Sequence, residues 1–344
     1  MLKRLTETDA VSGNEKNLRK FIIEEIKPYV SDIKVDTMGN VIALKKGKSK
    51  TNFKFMVCAH MDEVGFIISK ICDDGFLKFK CVGGIDDRIL LTQRVRINGQ
   101  KGVLGVKAVH LQTKAERKNV IKAEDMYIDI GAKSKEEAQK KVKIGDYAAF
   151  DSVYEEFGDG FICAKALDDR VGCNILLNAI KEEYETDVYF CFTVQEEVGL
   201  RGARVLAHSV GADAAIVVEC TTALDIPFSE KHEAVTTLGN GAALTVMDRC
   251  TICSKPLNEL VIDICNRKKI PYQLKQKVAG GNDAGALGIF SGGCETVCVS
   301  VPSRNIHSPV CVVKKSDILS AEAIVTELIK SMKDYTPTVR EVLK

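Results

Sequence analysis

The chain opens on an amphipathic pattern. Leu18, Phe21, Ile22, Ile26 and Tyr29 recur at helical spacing, and Ser12 with Glu15 has the spacing of a capping box in front of them. Pro28-Tyr29 closes that helix, and KVDT, NVIALKK and FKFMVCAH follow as short strands. After Gly65 the texture changes. From about Phe66 to about Glu156 the segments are short, alternating and separated by turn residues. GFIISKICDDGFLKFKCVG predicts a hairpin around Asp73-Asp74-Gly75, and RVRINGQKGVLGV another around Asn98-Gly99. MYIDIG and DYAAFD add strands, and SKEEAQKKV adds a short helix. A small β-rich domain, 67–156, is therefore expected inside a larger discontinuous one, 1–66 and 157–344.

From about Phe157 onward strands alternate with helices. LDDRVGCNILLNAIKEEY is helical, DVYFCFTV a strand, LRGARVLAHSV helical again and AAIVVEC a strand. KPLNELVIDICNRKK is the next helix and TVCVSVP the next strand. A final helix, SDILSAEAIVTELIKSMKDY, carries Ile318, Ala321, Val325, Leu328 and Met332 on one face. This order predicts an α/β fold with a mixed, mainly parallel sheet flanked by helices.

Composition narrows the class without deciding the function. The 344 residues are 45% hydrophobic and 28% charged, as in ordinary globular proteins, and the net charge is +2. That balance gives no broad surface for nucleic acid or anionic membrane. No apolar run reaches the roughly 20 residues a bilayer span needs. The N-terminus lacks a signal-peptide core, and the 13 cysteines are scattered through apolar strands rather than arranged as a disulfide framework. A cytoplasmic location is the expectation.

Candidate chemistry gathers at strand ends. In open α/β sheets sites form beyond the carboxyl ends of the strands. FKFMVCA runs into His60 and Asp62, DVYFCFTVQ into Glu196 and Glu197, AAIVV into Glu219, and TVCVSVP leads through SRNI to His307. Asp168 and Asp169 stand at the start of a helix, where a carboxylate also meets the helix dipole. Each has an ordinary structural reading as a surface pair, an N-cap or a first solvated residue. Their convergence on one sheet edge points instead to one or two divalent cations held by imidazole nitrogen and carboxylate oxygen. On a strand end turning into a loop, Glu196 and Glu197 can face different ways, one ligating a cation and one acting as general base.

The motifs AHMDEVGF (59–66), ALDDRVG (166–172), VQEEVGLRGA (194–203), VVECTTALDIP (217–227), GGNDAGA (280–286) and VPSRNIHSP (301–309) together resemble metallopeptidase family forty-two. These are the tetrahedral (TET) or glutamyl/deblocking aminopeptidases, which are dinuclear zinc or cobalt exopeptidases. The resemblance runs the length of the chain. It implies two divalent metal ions per subunit, zinc or cobalt with manganese as a further candidate. His60, Asp168 and Glu219 would hold one ion and Asp168, Glu197 and His307 the other, with Asp168 bridging. Glu196 would be the general base and acid for a water bridging the metals, Asp62 the carboxylate orienting His60, and Arg304 a substrate-binding candidate. A cis peptide bond after Asp168 is expected, as in related dinuclear peptidases. The resemblance also implies short peptides with a free N-terminus as substrates. It implies a homo-oligomer built from dimers through the β-rich insert, with a dodecamer as one candidate.

Two positions depart from that pattern: Glu219 stands where the family has aspartate, and GGND stands for GGTD, so Asn282 replaces threonine. Glu219 leaves room for an alternative on the same scaffold, an N-acyl amidohydrolase or a carboxypeptidase. A glycosidase, which needs two opposed carboxyls and no metal, fits poorly with the histidines. A non-catalytic assembly protein fits poorly with a full ligand set. KKGKSK lacks the earlier glycine of a phosphate loop, Cys250 and Cys253 form a lone CxxC, and His110, His208 and His232 sit in no motif.

Overall fold

The structure, a computed structural model, describes residues 1–49, 53–227, 229–230 and 234–337; His232 and Lys50 of the stretches above lie outside them. In chain order the first elements are α1 (Leu2–Glu7), α2 (Lys16–Ile26), β1 (Asp32–Val35), β2 (Val41–Lys45) and β3 (Phe55–His60). Next come β4 (Gly65–Ile71), β5 (Leu77–Val82), β6 (Arg94–Ile97), β7 (Gln100–Gly105), β8 (Tyr127–Asp129), α3 (Lys135–Gln139) and β9 (Tyr147–Phe150). Then follow β10 (Glu155–Phe157), β11 (Phe161–Ala164), α4 (Leu167–Ala179), β12 (Val188–Thr193), α5 (Arg201–Val210) and β13 (Ala214–Thr222). The last are β14 (Ala242–Leu244), α6 (Lys255–Lys268), β15 (Tyr272–Leu274), α7 (Asp283–Leu287), β16 (Glu295–Arg304), β17 (Cys311–Lys314) and α8 (Lys315–Ser331).

The large sheet runs β1-β2-β12-β3-β13-β16-β17-β11-β10, with β14 and β15 attached beside β16. It is parallel at its centre, where β12, β3, β13 and β16 lie side by side, and antiparallel on both flanks. Alternation explains the layers. Along β3, Phe55, Val57 and Ala59 face a core built with Leu18, Ile22, Leu176, Val261 and Ile324 of the helices, whereas Met56 and Cys58 face Leu206 and Ala284 on the other side. A strand buried on both faces needs an unbroken apolar run, and FMVCA supplies one.

Between β3 and β10 the chain builds a separate closed barrel, β4-β5-β8-β7-β6-β9. Phe66 anchors it, meeting the rings of Phe79 and Phe150 edge-on at 5.1 Å each. The β6–β7 turn places Asn98 and Gly99 at φ of 49° and 84°, the left-handed pair that a two-residue hairpin requires.

The capping box does not form. Glu15 itself precedes α2 without capping it, and its carboxylate accepts instead from the Gly13 and Gln195 amides at 2.6 and 3.2 Å. Ser12 donates to Asp62 at 2.6 Å. Both residues serve the strand-end cluster instead, Ser12 by donating its hydroxyl to Asp62 and Glu15 by accepting from the Gln195 amide.

A buried ionic knot ties the barrel to the sheet. Glu63, just before β4, pairs with Lys165 at 2.7 Å and with Arg170 at 3.3 Å, and all three side chains are at most 2% exposed. Arg96 of β6 reaches Asp9 and Asp151 at 2.7 Å each. Removing one sign from a buried pair strands the other. Glu63→Gln should therefore cost roughly 3–5 kcal/mol of stability, read as a lower urea midpoint at unchanged slope, and Glu63→Gln with Lys165→Gln should recover part of it.

Candidate metal centre

Four local devices deliver the polar side chains. β3 ends at His60, and its parallel neighbour β12 ends one register step level with it, at Thr193. Beyond Thr193 the chain turns through Gln195 at φ 55°, and the amides of Glu196 and Glu197 both donate to the Asp62 carboxylate, at 3.0 and 3.2 Å. Asp62 thus holds the two glutamates in a fixed turn. Burial opposes its charge, yet the His60 ring and the Ser12 hydroxyl keep its carboxyl below the usual range. Asn40 braces the same turn, accepting from the Val194 amide at 3.0 Å and donating to Gly202 O at 2.9 Å.

Asp168 and Asp169 divide their work. The peptide bond between them is cis, and both depart from helical φ/ψ inside α4. Asp169 accepts from the Gly172 amide at 2.9 Å and the His60 amide at 3.2 Å, so it caps the helix and grips β3. Asp168 is left facing the cluster.

The expected ligands come together around it. Asp168 Oδ1 lies 3.4 Å from His60 Nε2, and Oδ2 lies 3.4 Å from His307 Nε2. Glu219 Oε2 is 3.7 Å from His60 Nε2, and Glu197 Oε2 is 3.2 Å from His307 Nε2. Ligand atoms of His60, Asp168 and Glu197 lie within 4.8 Å of one another, as do those of His60, Asp169 and Glu219. Both rings are oriented from behind: His60 Nδ1 faces Asp62 O at 3.2 Å, and His307 Nδ1 faces Gly84 O at 2.9 Å. With a cation bound, each Nδ1 would carry its proton toward the carbonyl it faces and each Nε2 would turn its lone pair to the cluster. Gly84 belongs to the barrel side of the chain, and no motif in the sequence pointed to it.

The electrostatics describe a site short of positive charge. Burial opposes charge on His60, yet Asp168, Asp62 and Glu219 raise its pKa well above the ordinary imidazole value. His307 is pushed up to about 9, again against burial, by Asp168 and Glu197. Asp168 is held well below the carboxylate range, against burial, by the two histidines. Burial pushes Glu219 well up, helped by Asp169 and Glu196, and takes Glu197 up to about 7 with the Asp168 charge. Burial and the Glu197 charge also raise Glu196. Two buried oxygens, Asp168 Oδ1 and Glu219 Oε1, accept no hydrogen bond. Buried carboxylate oxygens without donors are costly unless a cation meets them. Imidazole nitrogen with carboxylate oxygen fits a borderline divalent ion. The residues therefore fit the metals implied by the motifs.

Arg304 is not a free cation: it forks onto Asp225 at 2.9 and 2.7 Å and is absent from the lining of the adjoining cavity. The bidentate carboxylate holds Nε and Nη2, so the geometry of the described residues gives Arg304 a structural partner and no support as a substrate-binding residue. Asn282 accepts from the Ala284 amide at 3.0 Å and donates to Asp248 at 3.2 Å, so the departure from GGTD is a loop brace. Asp283 beside it is buried, takes the Thr193 hydroxyl at 2.5 Å, and is pushed up to about 6 by burial. It lies inside the GGNDAGA motif, where nothing in the sequence marks it apart from its neighbours.

A putative aminopeptidase of Acetivibrio thermocellus is 46% identical over 333 residues, covering 96% of this chain and 97% of that protein. The lysyl aminopeptidase of Pyrococcus furiosus is 30% identical over 349 residues, covering 98% and 99%. The solved structure of the Pyrococcus horikoshii TET1 peptidase, described as assembling into a tetrahedron or a large octahedral shell, superposes with a TM-score of 0.86. It does so at 36% identity, covering 95% of this chain and 98% of that one. The family model described as M42 glutamyl aminopeptidase matches residues 39–324, most of the described sheet and all of the barrel, and the chain belongs to that aminopeptidase family.

Proposed function

We propose that the chain is a metal-dependent aminopeptidase that releases residues one at a time from the free N-terminus of short peptides. The observation that carries this reading is Asp168. Its two oxygens are each 3.4 Å from a different histidine, in the position of a carboxylate shared between two cation sites. His60, Asp168 and Glu219 would hold one divalent ion, and Asp168, Glu197 and His307 the other, with zinc, cobalt or manganese as the candidates. Bound there, the ions would supply Lewis acidity, lowering the pKa of water and polarising a carbonyl.

The chain's own groups supply the remainder. Among the described residues the Glu196 carboxylate makes no hydrogen bond, although its backbone is fixed by Asp62 and its side chain lines the cavity. It is therefore available to a water in that cavity. Raised by burial, it suits a group that takes a proton at neutral pH and returns it. It removes the proton from the attacking water and delivers it to the leaving amine. Asp62 keeps His60 and the glutamate turn in register. The carboxylates around the centre favour a cationic N-terminal amine over a peptide's anionic C-terminus.

The barrel, with boundaries near 67–156, is proposed as the oligomerisation element of an assembly built from dimers, in line with the shells described for the archaeal TET1 peptidase. Among the described residues no helix is long and apolar enough to cross a membrane, and a cytoplasmic location is proposed with that. The family description, glutamyl, and the name of one relative, lysyl, leave the preferred first side chain open.

The test uses metal-loaded protein and one short peptide with a free or an acetylated N-terminus, each with and without a chelator. Stepwise release of amino acids from the free form alone, abolished by the chelator, is expected. Acetate release, or cleavage from the other end, would favour the amidohydrolase or carboxypeptidase reading that Glu219 leaves open.

A further inference from the structure

Asp283 is a buried carboxylate that the chemistry above does not use. It is 1% exposed, its Oδ1 accepts no hydrogen bond, and among the described residues no lysine, arginine or histidine lies within ion-pairing distance of it. Oδ2 takes the Thr193 hydroxyl at 2.5 Å, with the Cys58 thiol at 4.0 Å as a weak second donor. A carboxylate held with so few donors is costly. The usual reasons for an acid at the start of a helix are met by other residues. Asn282 caps α7 by accepting from the Ala284 amide at 3.0 Å, and Ala284 and Leu287 seat the helix among Met56, Cys58 and Leu206. The free amides of a helix N-terminus also favour an acid, but among the described residues Asp283 accepts from none of them. The contact that remains is Thr193.

Thr193 is the pivot of the Glu196 turn. It is the last residue of β12 in register with β3, level with His60, and its carbonyl accepts from the Met61 amide at 2.8 Å. Beyond it Asn40, Glu15 and Asp62 hold the amides of residues 194 to 197, and none of those three lines the cavity of about 420 Å³ beside the centre. Asp283 belongs to the cavity: Ala279, Gly280, Gly281 and Asn282 all line it and lead straight into Asp283. Glu196 lines it too. A peptide bound there would touch both the 279–282 loop and the Glu196 carboxylate, and the Asp283–Thr193 contact ties the two together.

We propose that Asp283 is a positioning residue for Glu196, acting through the Thr193 hydroxyl to fix the general base against the loop that receives the substrate. The proposal rests on the aminopeptidase reading above and on Glu196 as its base. A merely structural role would lower the urea midpoint and leave kcat of the folded, metal-loaded protein as it is.

The experiment measures kcat, KM and bound metal for wild type, Asp283→Ala, Thr193→Val, Thr193→Ser and the Asp283→Ala/Thr193→Val pair, and repeats Asp283→Ala in a Glu196→Gln background. A base moved off its productive position predicts a kcat lower by about 10- to 100-fold in Asp283→Ala and in Thr193→Val, with metal content at the wild-type level and KM within about threefold. The pair should lose no more than about threefold beyond either single change, because both remove one contact. Thr193→Ser keeps the hydroxyl and should restore most of kcat. In the Glu196→Gln background Asp283→Ala should change kcat by less than about threefold. Hydrogen exchange at the amides of 194 to 197, followed by mass spectrometry, reads the turn without turnover; it should quicken in Asp283→Ala and Thr193→Val and not in Thr193→Ser. Wild-type kcat in Thr193→Val, losses that multiply in the pair, loss of metal, or a further large loss without Glu196 each overturns the proposal. Should Asp283→Ala not fold, Thr193→Val against Thr193→Ser decides it alone. If wild type cleaves no peptide, the aminopeptidase reading falls; quickened exchange then keeps the hold of Asp283 on the turn, and unchanged exchange overturns it as well.

Discussion

Glu196→Gln should lower kcat by about 10²- to 10⁴-fold, the range that a positioned general acid or base contributes, while leaving both metal sites filled. The substitution keeps the shape and removes the proton acceptor. Two features of the site place the expected loss at the upper end. On the proposed mechanism Glu196 serves both proton transfers, from water and to the leaving amine, and among the described residues no other carboxylate near the centre is free to replace it. Glu197 and Glu219 face the histidines at 3.2 and 3.7 Å, and Asp62 is occupied by Ser12 and two backbone amides. KM should move only a few-fold, because an interaction lost mainly in the transition state lowers kcat and kcat/KM together. Steady-state kinetics beside elemental analysis of the purified protein checks both halves. A kcat within tenfold of wild type would remove Glu196 from the mechanism. A loss of metal would recast it as a ligand.

Much of this arrangement was legible in the chain because strand ends are legible. FKFMVCA and AAIVV are apolar runs that stop at a charged residue, and a parallel strand that stops there delivers its side chain to the sheet's carboxyl edge. Periodicity found the barrel hairpins for the same reason: Asn98-Gly99 is a turn whose conformation two residues dictate. What sequence could not show is which partner wins a shared oxygen. Ser12 and Glu15 have helix-capping spacing, yet their oxygens meet Asp62 and Gln195, residues far along the chain. Arg304 looked available because Asp225, 79 positions earlier, carries no mark of the pairing. Gly84 orients His307 through a backbone carbonyl, a contact open to any residue type and so without a signature. The two strands attached beside β16 were hidden likewise, since β14 and β15 are three-residue strands too short for a periodic signal.

Asp168→Asn is the substitution expected to act on both cation sites at once. A ligand that serves one ion costs that ion when removed. Asp168 has one oxygen toward His60 and the other toward His307, so the loss should appear in the total stoichiometry and not in one class of site. Asparagine keeps the volume but is neutral and offers one carbonyl oxygen, so a single side would retain an acceptor without its charge. The neighbours cannot compensate. Asp169 is committed to the Gly172 and His60 amides, and Cys220 donates its thiol to Leu167 O while burial pushes its pKa well up. Losing an outer partner of a metal ligand lowers affinity or activity by about 10- to 100-fold, and losing a shared ligand should exceed that. The expected result is undetectable peptide hydrolysis at equimolar metal, with zinc bound per subunit falling from about two toward zero in equilibrium dialysis. Folding should persist, because Asp168 makes no backbone contact that holds α4, and circular dichroism of the variant tests this independently of metal. A variant that kept one tightly bound ion would assign Asp168 to a single site. One that kept two would refute the bridging role and return the choice of shared ligand to Glu197 or Glu219.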